Sequence, residues 1–338
     1  MRKYLDISPE RDSDKFGCDP YQRSFQEHLS KAMLILDKDA GPTSHQAVDK
    51  LKKIVGIDKI GHSGTLDPQV TGVLVCGLGK ATRLMEYMLL SDKEYVCHLY
   101  LHSPVSRKQL DETTKAFTGT ITQLPPRISA VKRQERQRKI YSLEILETEN
   151  KNQDVLFRVR CERGTYIRKL CTDMAEHMGI KGQMTQLRRT KAGPFTEEDK
   201  SISLDKLRNL YDLYKEAKSA KEKELFEHEL RTYIRPQEEL LKDMKTVIVQ
   251  TSAIDSLCHG ADLAIPGVSK AEEGITLGET VALLSPKGEL VAIGKAYLTT
   301  KDLLKKKKGA FIRTEKVFMD IDVYPSKWNF EKGQKHRP

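Results

Sequence analysis

From Thr246 onward the chain is cut at short intervals by Gly260, Gly267, Gly274, Gly278, Gly288 and Gly294. No piece between them is long enough for an ordinary helix, and the pieces are apolar and β-branched, so this part reads as short strands joined by turns. About 75–80 residues of that kind suit a small β-barrel that folds as a domain of its own. The stretch before it has the opposite texture. Glu197 to Glu239 holds no glycine and places Leu and Tyr among charges at helical spacing, which predicts one or two surface helices closing a first domain, interrupted at Pro236. Alternating, β-branched runs predict strands at Met33–Asp37, Tyr95–His102, Val155–Cys161, Thr246–Val249 and Thr280–Leu284. Between the first two, Thr43 and Gln46 form a capping box that opens a helix with Val48, Leu51 and Val55 on one face, and Gly56 stops it. The fold class expected is α+β.

Several functional classes drop out. No uninterrupted apolar stretch approaches the roughly 20 residues needed to cross a bilayer, and the polar N-terminus lacks a signal-peptide core, so a cytoplasmic protein without membrane partners is expected. Cys18, Cys76, Cys97, Cys161, Cys171 and Cys258 form no CxxC pair, which argues against a disulfide framework or zinc ribbon and for buried thiols. The net charge of +10 over 338 residues fits a polyanionic partner or mere solubility. Its distribution is more informative. Glu197 to Lys245 carries eleven basic and thirteen acidic residues, so the excess lies elsewhere. One basic cluster, Arg127 to Lys139, has six positive residues against the single Glu135. Another, Lys301 to Lys308, contains four consecutive lysines. Arginine forks match phosphate oxygens, which favours a nucleic-acid grip at the first cluster; a solvated face remains the plain reading of the second.

The densest candidate for chemistry is Gly61-His62-Ser63-Gly64-Thr65-Leu66-Asp67-Pro68. Pro68 restricts Asp67 to an extended backbone, and a carboxylate fixed in this way can be a nucleophile, a general base or a turn former. Gly77-Leu78-Gly79-Lys80 fails as a phosphate loop, because Leu74 stands where the first glycine belongs and Ala81 follows the lysine. The same stretch fails as a dinucleotide fingerprint, with Thr82 at the third glycine position. His62, His98 and His102 lack metal-ligand spacing, and no GxSxG elbow supports a hydrolase. Further on, if Gly164 leads into a strand, Tyr166 and Arg168 point to one side, suiting base stacking and carboxylate balance or a cross-strand packing pair.

GHSGTLDP with QVTGVL, KEYV at Lys93–Val96, GTYIR at Gly164–Arg168 and LRRTKAGPF at Leu187–Phe195 resemble the TruB-type pseudouridine synthases. LDKDAGPTSH at Leu36–His45, PPRISAVKRQERQRKIY at Pro125–Tyr141, HGADLAIPGV at His259–Val268 and EKVFMDIDVYPSKW at Glu315–Trp328 are similar to the dyskerin branch, especially its archaeal members. Supporting positions differ: Val75-Cys76 replaces a proline-containing step, and Ser103-Pro104 stands where relatives tend to have Gly-Asp.

The resemblance implies a mixed and antiparallel sheet in a catalytic domain, residues 31–245, followed by a PUA domain, residues 246–328. Residues 1–30 would be an extension packed on the PUA domain and 329–338 a polar tail. Asp67 would be the catalytic aspartate, Tyr95 would stack on the flipped base, Tyr166 would line the pocket, Arg168 would pair with Asp67, Leu187 would form an apolar wall, and His62 would touch RNA. No cofactor is implied, since a carbon–nitrogen bond is exchanged for a carbon–carbon bond without redox change. The target uridine must be extruded, at roughly a few kcal/mol for unstacking. Lys132, Arg133 and Arg136 would contact RNA from a thumb-like loop. His259, Gly260, Ala261, Pro266 and Gly267 would hold the lower stem and terminal ACA of a guide RNA.

The resemblance thus implies RNA-guided conversion of uridine to pseudouridine in ribosomal RNA. The implied partners are an H/ACA guide RNA, a small zinc-ribbon-like H/ACA protein, a glycine-arginine-rich H/ACA protein and a kink-turn-binding ribosomal-type protein. The alternative is a stand-alone enzyme acting on the T-loop uridine of tRNA. A structural RNA-binding scaffold and an RNA methyltransferase with a PUA domain are other classes; the second lacks a glycine-rich cofactor loop after a first strand.

Overall fold

All five expected strands form within two residues of their predicted ends. The computed structural model describes residues 2–9, 16–124 and 134–325. The chain divides into two compact units, one of residues 29–235 and one combining residues 1–28 with 236–338.

In the second unit β1 (Tyr4–Asp6) pairs antiparallel with Val268–Glu272. The sheet continues through Lys245–Val249, Thr280–Leu284, Leu290–Ala296, Ala310–Val317 and Leu263–Ala264, in that order. Val247, Ile254, Val281, Phe311 and their neighbours form its apolar core. The glycine pattern acquires a physical reason here. Gly274, Gly278 and Gly288 sit at turns with φ of +80°, +76° and +87°, a region that costs other residues about 1–2 kcal/mol. Arg2 fastens the N-terminal strand, donating to Glu272 Oε2 and to the Met244 carbonyl at 2.6 Å each.

In the first unit the strands are β2 (Ala32–Lys38), β3 (Ile60–His62), β4 (Thr71–Leu78), β5 (Lys93–Leu101), β6 (Gly119–Gln123), β7 (Arg136–Glu149), β8 (Asp154–Cys161) and β9 (Gly182–Ala192). Their order is β2-β4-β9-β5-β8-β7-β6, with β3 beside β4. Neighbours run antiparallel except β4 and β9, which meet in parallel at Thr71↔Arg188 and Gly72↔Arg189. A Cβ on Gly72 would lie 2.3 Å from the Arg189 carbonyl, so only glycine permits that approach. Every second residue of β8, namely Val155, Phe157, Val159 and Cys161, is buried. These pack with Leu170, Cys171 and Met174 of the helix Ile167–His177. The Thr43–Gln46 capping box is present with both reciprocal bonds, and Gly56 ends that helix at φ +69° with its N–H on the Lys52 carbonyl.

One expectation is corrected. Tyr166 and Arg168 do not lie on a strand: Tyr166 is the N-cap of the helix Ile167–His177 and Arg168 is in its first turn. Gly164, at φ +74°, turns the chain out of β8 and into that helix. The expected pair of surface helices is Leu204–Glu216 and Ala220–Tyr233. The six thiols are free, four of them buried, with Cys18 and Cys258 partly exposed. Lys132 and Arg133 lie outside the described residues, whereas Arg136 begins β7.

Candidate active site

The loop between β3 and β4 carries Asp67 to the parallel junction with β9, and the side chains around it come from four separate stretches of chain. A cavity of about 520 Å³ is lined by Asp67, Tyr95, Tyr166, Arg168 and Leu187 together. That volume suits a ligand the size of one nucleoside. Arg168 Nη2 donates to Asp67 Oδ2, and both side chains are half exposed. Tyr95 and Leu187 come from the adjacent strands β5 and β9, and Leu187 faces Cys97 in the register. Burial pushes the Tyr95 phenol up from its ordinary pKa.

The loop is held from behind by residues that sequence reasoning missed. Lys38, fully buried at the end of β2, donates from Nζ to the carbonyls of Asp39, Pro68 and Val70 at 2.9, 3.0 and 2.9 Å. Burial pulls its pKa below that of a free lysine. Ser44 Oγ accepts from the Leu66 N–H at 2.8 Å and donates to the Leu66 carbonyl at 3.1 Å. Gln123 brackets Tyr166 from the end of β6, accepting its N–H at 3.0 Å and donating to its carbonyl at 3.2 Å. Arg189 is buried against the same loop, with Nε on the Val73 carbonyl at 2.7 Å and Nη2 on the Gly64 carbonyl at 3.2 Å. Lys38 and Ser44 were visible only as letters of LDKDAGPTSH; the apolar run ahead of Lys38 was the available hint that its side chain is buried.

Of the residues expected in the substrate pocket, His62 does not line the cavity. It ends β3, where its Nδ1 accepts the Gly64 N–H at 3.3 Å and its ring meets His45 edge-on at 5.4 Å between centroids. Burial first, then the neighbouring His45 and Arg189, lower its pKa to about 4. Since the folded value lies below the unfolded 6.5, the unfolded state takes up the proton first, and stability falls as pH drops from about 6.5 to about 4. His62→Gln is therefore expected to lose less stability than wild type between pH 7 and pH 4.5, as read by denaturant unfolding at the two pH values. Equal losses would contradict the burial of a neutral imidazole.

In the other unit His259, Gly260, Ala261 and Pro266 are exposed and Gly267 is half-buried, all following the helix Thr251–Cys258. The Ile265 N–H donates to the carbonyl of Gly309, which directly follows Lys305–Lys308. The fold thus brings the HGADLAIPG stretch beside the exposed lysine run. Among the described residues no group of three or more His, Cys, Asp or Glu could hold a metal ion.

The domain of the TruB family pseudouridylate synthases (N terminal domain) matches residues 52–106 and 101–167, and the tRNA pseudouridylate synthase B C-terminal domain matches 168–242. A PUA domain matches 245–318 and a DKCLD (NUC011) domain 10–48. The chain is 44% identical over 317 residues to a probable tRNA pseudouridine synthase B of Methanopyrus kandleri, covering 94% of this chain and 91% of that one. The chain belongs to the TruB family of pseudouridine synthases. A relative in Pyrococcus furiosus, also a probable tRNA pseudouridine synthase B, is 43% identical over 313 residues, 93% of this chain and 89% of its own. Among solved structures, a Cbf5-Nop10-Gar1 complex superposes with a TM-score of 0.86 at 41% identity, covering 96% of this chain and 97% of the other. An H/ACA RNP bound to a substrate RNA containing 2'-deoxyuridine gives 0.87 at 39% identity over 97% and 98%. This TruB-family chain is thus an isomerase acting on RNA, built as a catalytic domain with a PUA domain. Among its described residues no helix is long and apolar enough to cross a membrane.

Proposed function

We propose that this enzyme is the catalytic subunit of an H/ACA ribonucleoprotein and converts ribosomal RNA uridines chosen by a guide RNA, in the cytoplasm and without a cofactor. The observation that carries this reading is the likeness, over nearly the whole length of both chains, to the Cbf5 complex with Nop10 and Gar1 and to the substrate-bound H/ACA RNP. In this reading the domains follow residues 1–30, 31–245, 246–328 and 329–338. The partners are the guide RNA, a small zinc-ribbon-like protein, a glycine-arginine-rich protein and a kink-turn-binding ribosomal-type protein.

In this reading the residues take the following roles, which the shared cavity supports for Asp67, Tyr95, Tyr166, Arg168 and Leu187. Asp67 attacks the target nucleotide or takes a ribose proton. Arg168 holds its carboxylate, Tyr95 stacks on the extruded base, and Tyr166 and Leu187 close the pocket around it. His62 touches RNA at the edge of the loop. His259, Gly260, Ala261, Pro266 and Gly267 grip the guide, and Lys132, Arg133 and Arg136 grip RNA.

The names of the relatives favour a second reading, a stand-alone enzyme on tRNA. The two separate when purified protein is given a ribosomal RNA target or a T-loop tRNA, with and without guide RNA and partner proteins. Conversion of the ribosomal target only with the guide is expected. Full conversion of the tRNA without any guide, together with an inert ribosomal target, would overturn the guided reading.

A further inference from the structure

Two cations at the cavity have no ion-pair partner among the described residues. Arg189 and Lys93 both line it, and both are almost completely buried, at 1% and 6% exposure. Of the nearby acids, Asp67 is paired with Arg168 and Asp92 with Arg160, while Glu162 accepts the Lys139 N–H at 3.1 Å. Both cations are fixed instead by neutral carbonyls. Lys93 Nζ donates to the carbonyls of Met88, Leu89 and Ser91 at 2.9, 3.3 and 2.6 Å, and Arg189 to those of Val73 and Gly64. Burying a cation without a carboxylate is costly, and carbonyl dipoles offset only part of the desolvation.

We propose that Arg189 and Lys93 form a fixed positive wall of the cavity that stabilises the uracil ring while it is detached and carries negative charge. The isomerisation supplies that charge. The C1′–N1 bond breaks with its electron pair going to the ring, where it spreads over N1, O2 and O4. C1′ is left as an oxocarbenium ion or bonded to the Asp67 oxygen. The ring turns, and C5 donates a pair to C1′ to form the carbon–carbon bond, releasing the Asp67 oxygen where it had added. The C5 proton passes to water while N1 takes one up, so that the product is neutral. Between the two bond changes the ring bears one negative charge. Cations already in place, held by backbone, lower that intermediate without reorganising. Arg168 is unsuited to the task, because its charge is already balanced by the Asp67 carboxylate and its side chain is half exposed.

The test uses the full-length chain in the assembly in which wild type converts its RNA, with single-turnover rates read on a target uridine and on 5-fluorouridine at the same position. Fluorine withdraws electrons and stabilises the detached ring by itself, so the protein's charge matters less. Arg189→Gln is expected to slow disappearance of the target uridine by about 10²-fold, the scale of one lost oxyanion donor. The loss on 5-fluorouridine should be several-fold smaller, and Arg189→Lys should keep most of the uridine rate. Equal losses on the two nucleotides, or a lysine variant no better than the glutamine one, overturn the proposal.

Lys93 gives an independent readout that does not depend on the folding of Arg189→Gln. Burial and the neighbouring Arg189 and Arg163 lower its pKa to about 8, against the opposing influence of Asp92 and Cys161. The wild-type rate should therefore fall as pH rises through about 8, and Lys93→Arg, which stays charged, should remove that fall. A decline of the same size in Lys93→Arg overturns the role of Lys93.

Discussion

Asp67→Asn is expected to abolish pseudouridine formation, by at least about 10⁴-fold in single-turnover rate, while leaving both stability and RNA affinity nearly unchanged. The argument rests on where the carboxylate sits. It is half exposed, and its one charged partner, Arg168, is half exposed as well. Breaking an ion pair of that kind costs at most about 1 kcal/mol, so the fold should not notice. Asparagine keeps the size and the extended backbone that Pro68 imposes, yet its neutral amide is far too weak a nucleophile or base to attack the sugar or take a proton from it. RNA affinity is spread over many phosphate contacts and should not hinge on one residue of the pocket. Rates from mass spectrometry of the digested RNA, with binding followed by filter retention, separate these quantities. Equal product from Asp67→Asn and wild type would remove Asp67 from the mechanism.

The local parts of this site are legible in the sequence because local chemistry makes them. The capping box at Thr43 and the Gly56 stop are signals only a few residues long, and both form as read. The GHSGTLDP loop announces itself through glycines flanking a His-Ser pair and the Asp-Pro step. Tyr166 and Arg168 mislead because the helix they begin has no capping side chain of its own. The N–H of its N-cap residue, Tyr166, is satisfied by Gln123, 43 residues upstream, which no local pattern can indicate. The adjacent arginines of LRRT show the same limit. Strand alternation puts Arg188 outward, where it pairs with Asp37 and Glu197, and turns Arg189 inward to the catalytic loop. The sequence gives two identical letters, and only the pairing of β9 with β4 and β5 tells which of them faces the cavity.

Lys38→Met should damage both stability and activity, and for a single reason. The ammonium group joins Asp39, Pro68 and Val70 through their carbonyls and so closes the turn that displays Asp67. Two effects oppose each other in the variant. Methionine removes a buried charge, which relieves a desolvation penalty of several kcal/mol. Against that, three carbonyls lose their donor at once, at about 1–3 kcal/mol for each that stays buried and unsatisfied. Since Lys38 is 1% exposed, little water can reach these carbonyls unless the turn opens. The second effect should win, with a net loss of about 2–4 kcal/mol in denaturant unfolding. An opened turn also shifts Asp67, and a displacement near 1 Å is enough to slow a positioned reaction by about 10²-fold. Lys38→Arg should not restore the rate, because a planar fork cannot reach three carbonyls that converge on one point. A Lys38→Met protein that unfolds at the wild-type denaturant concentration and reacts at the wild-type rate would show that the turn holds itself.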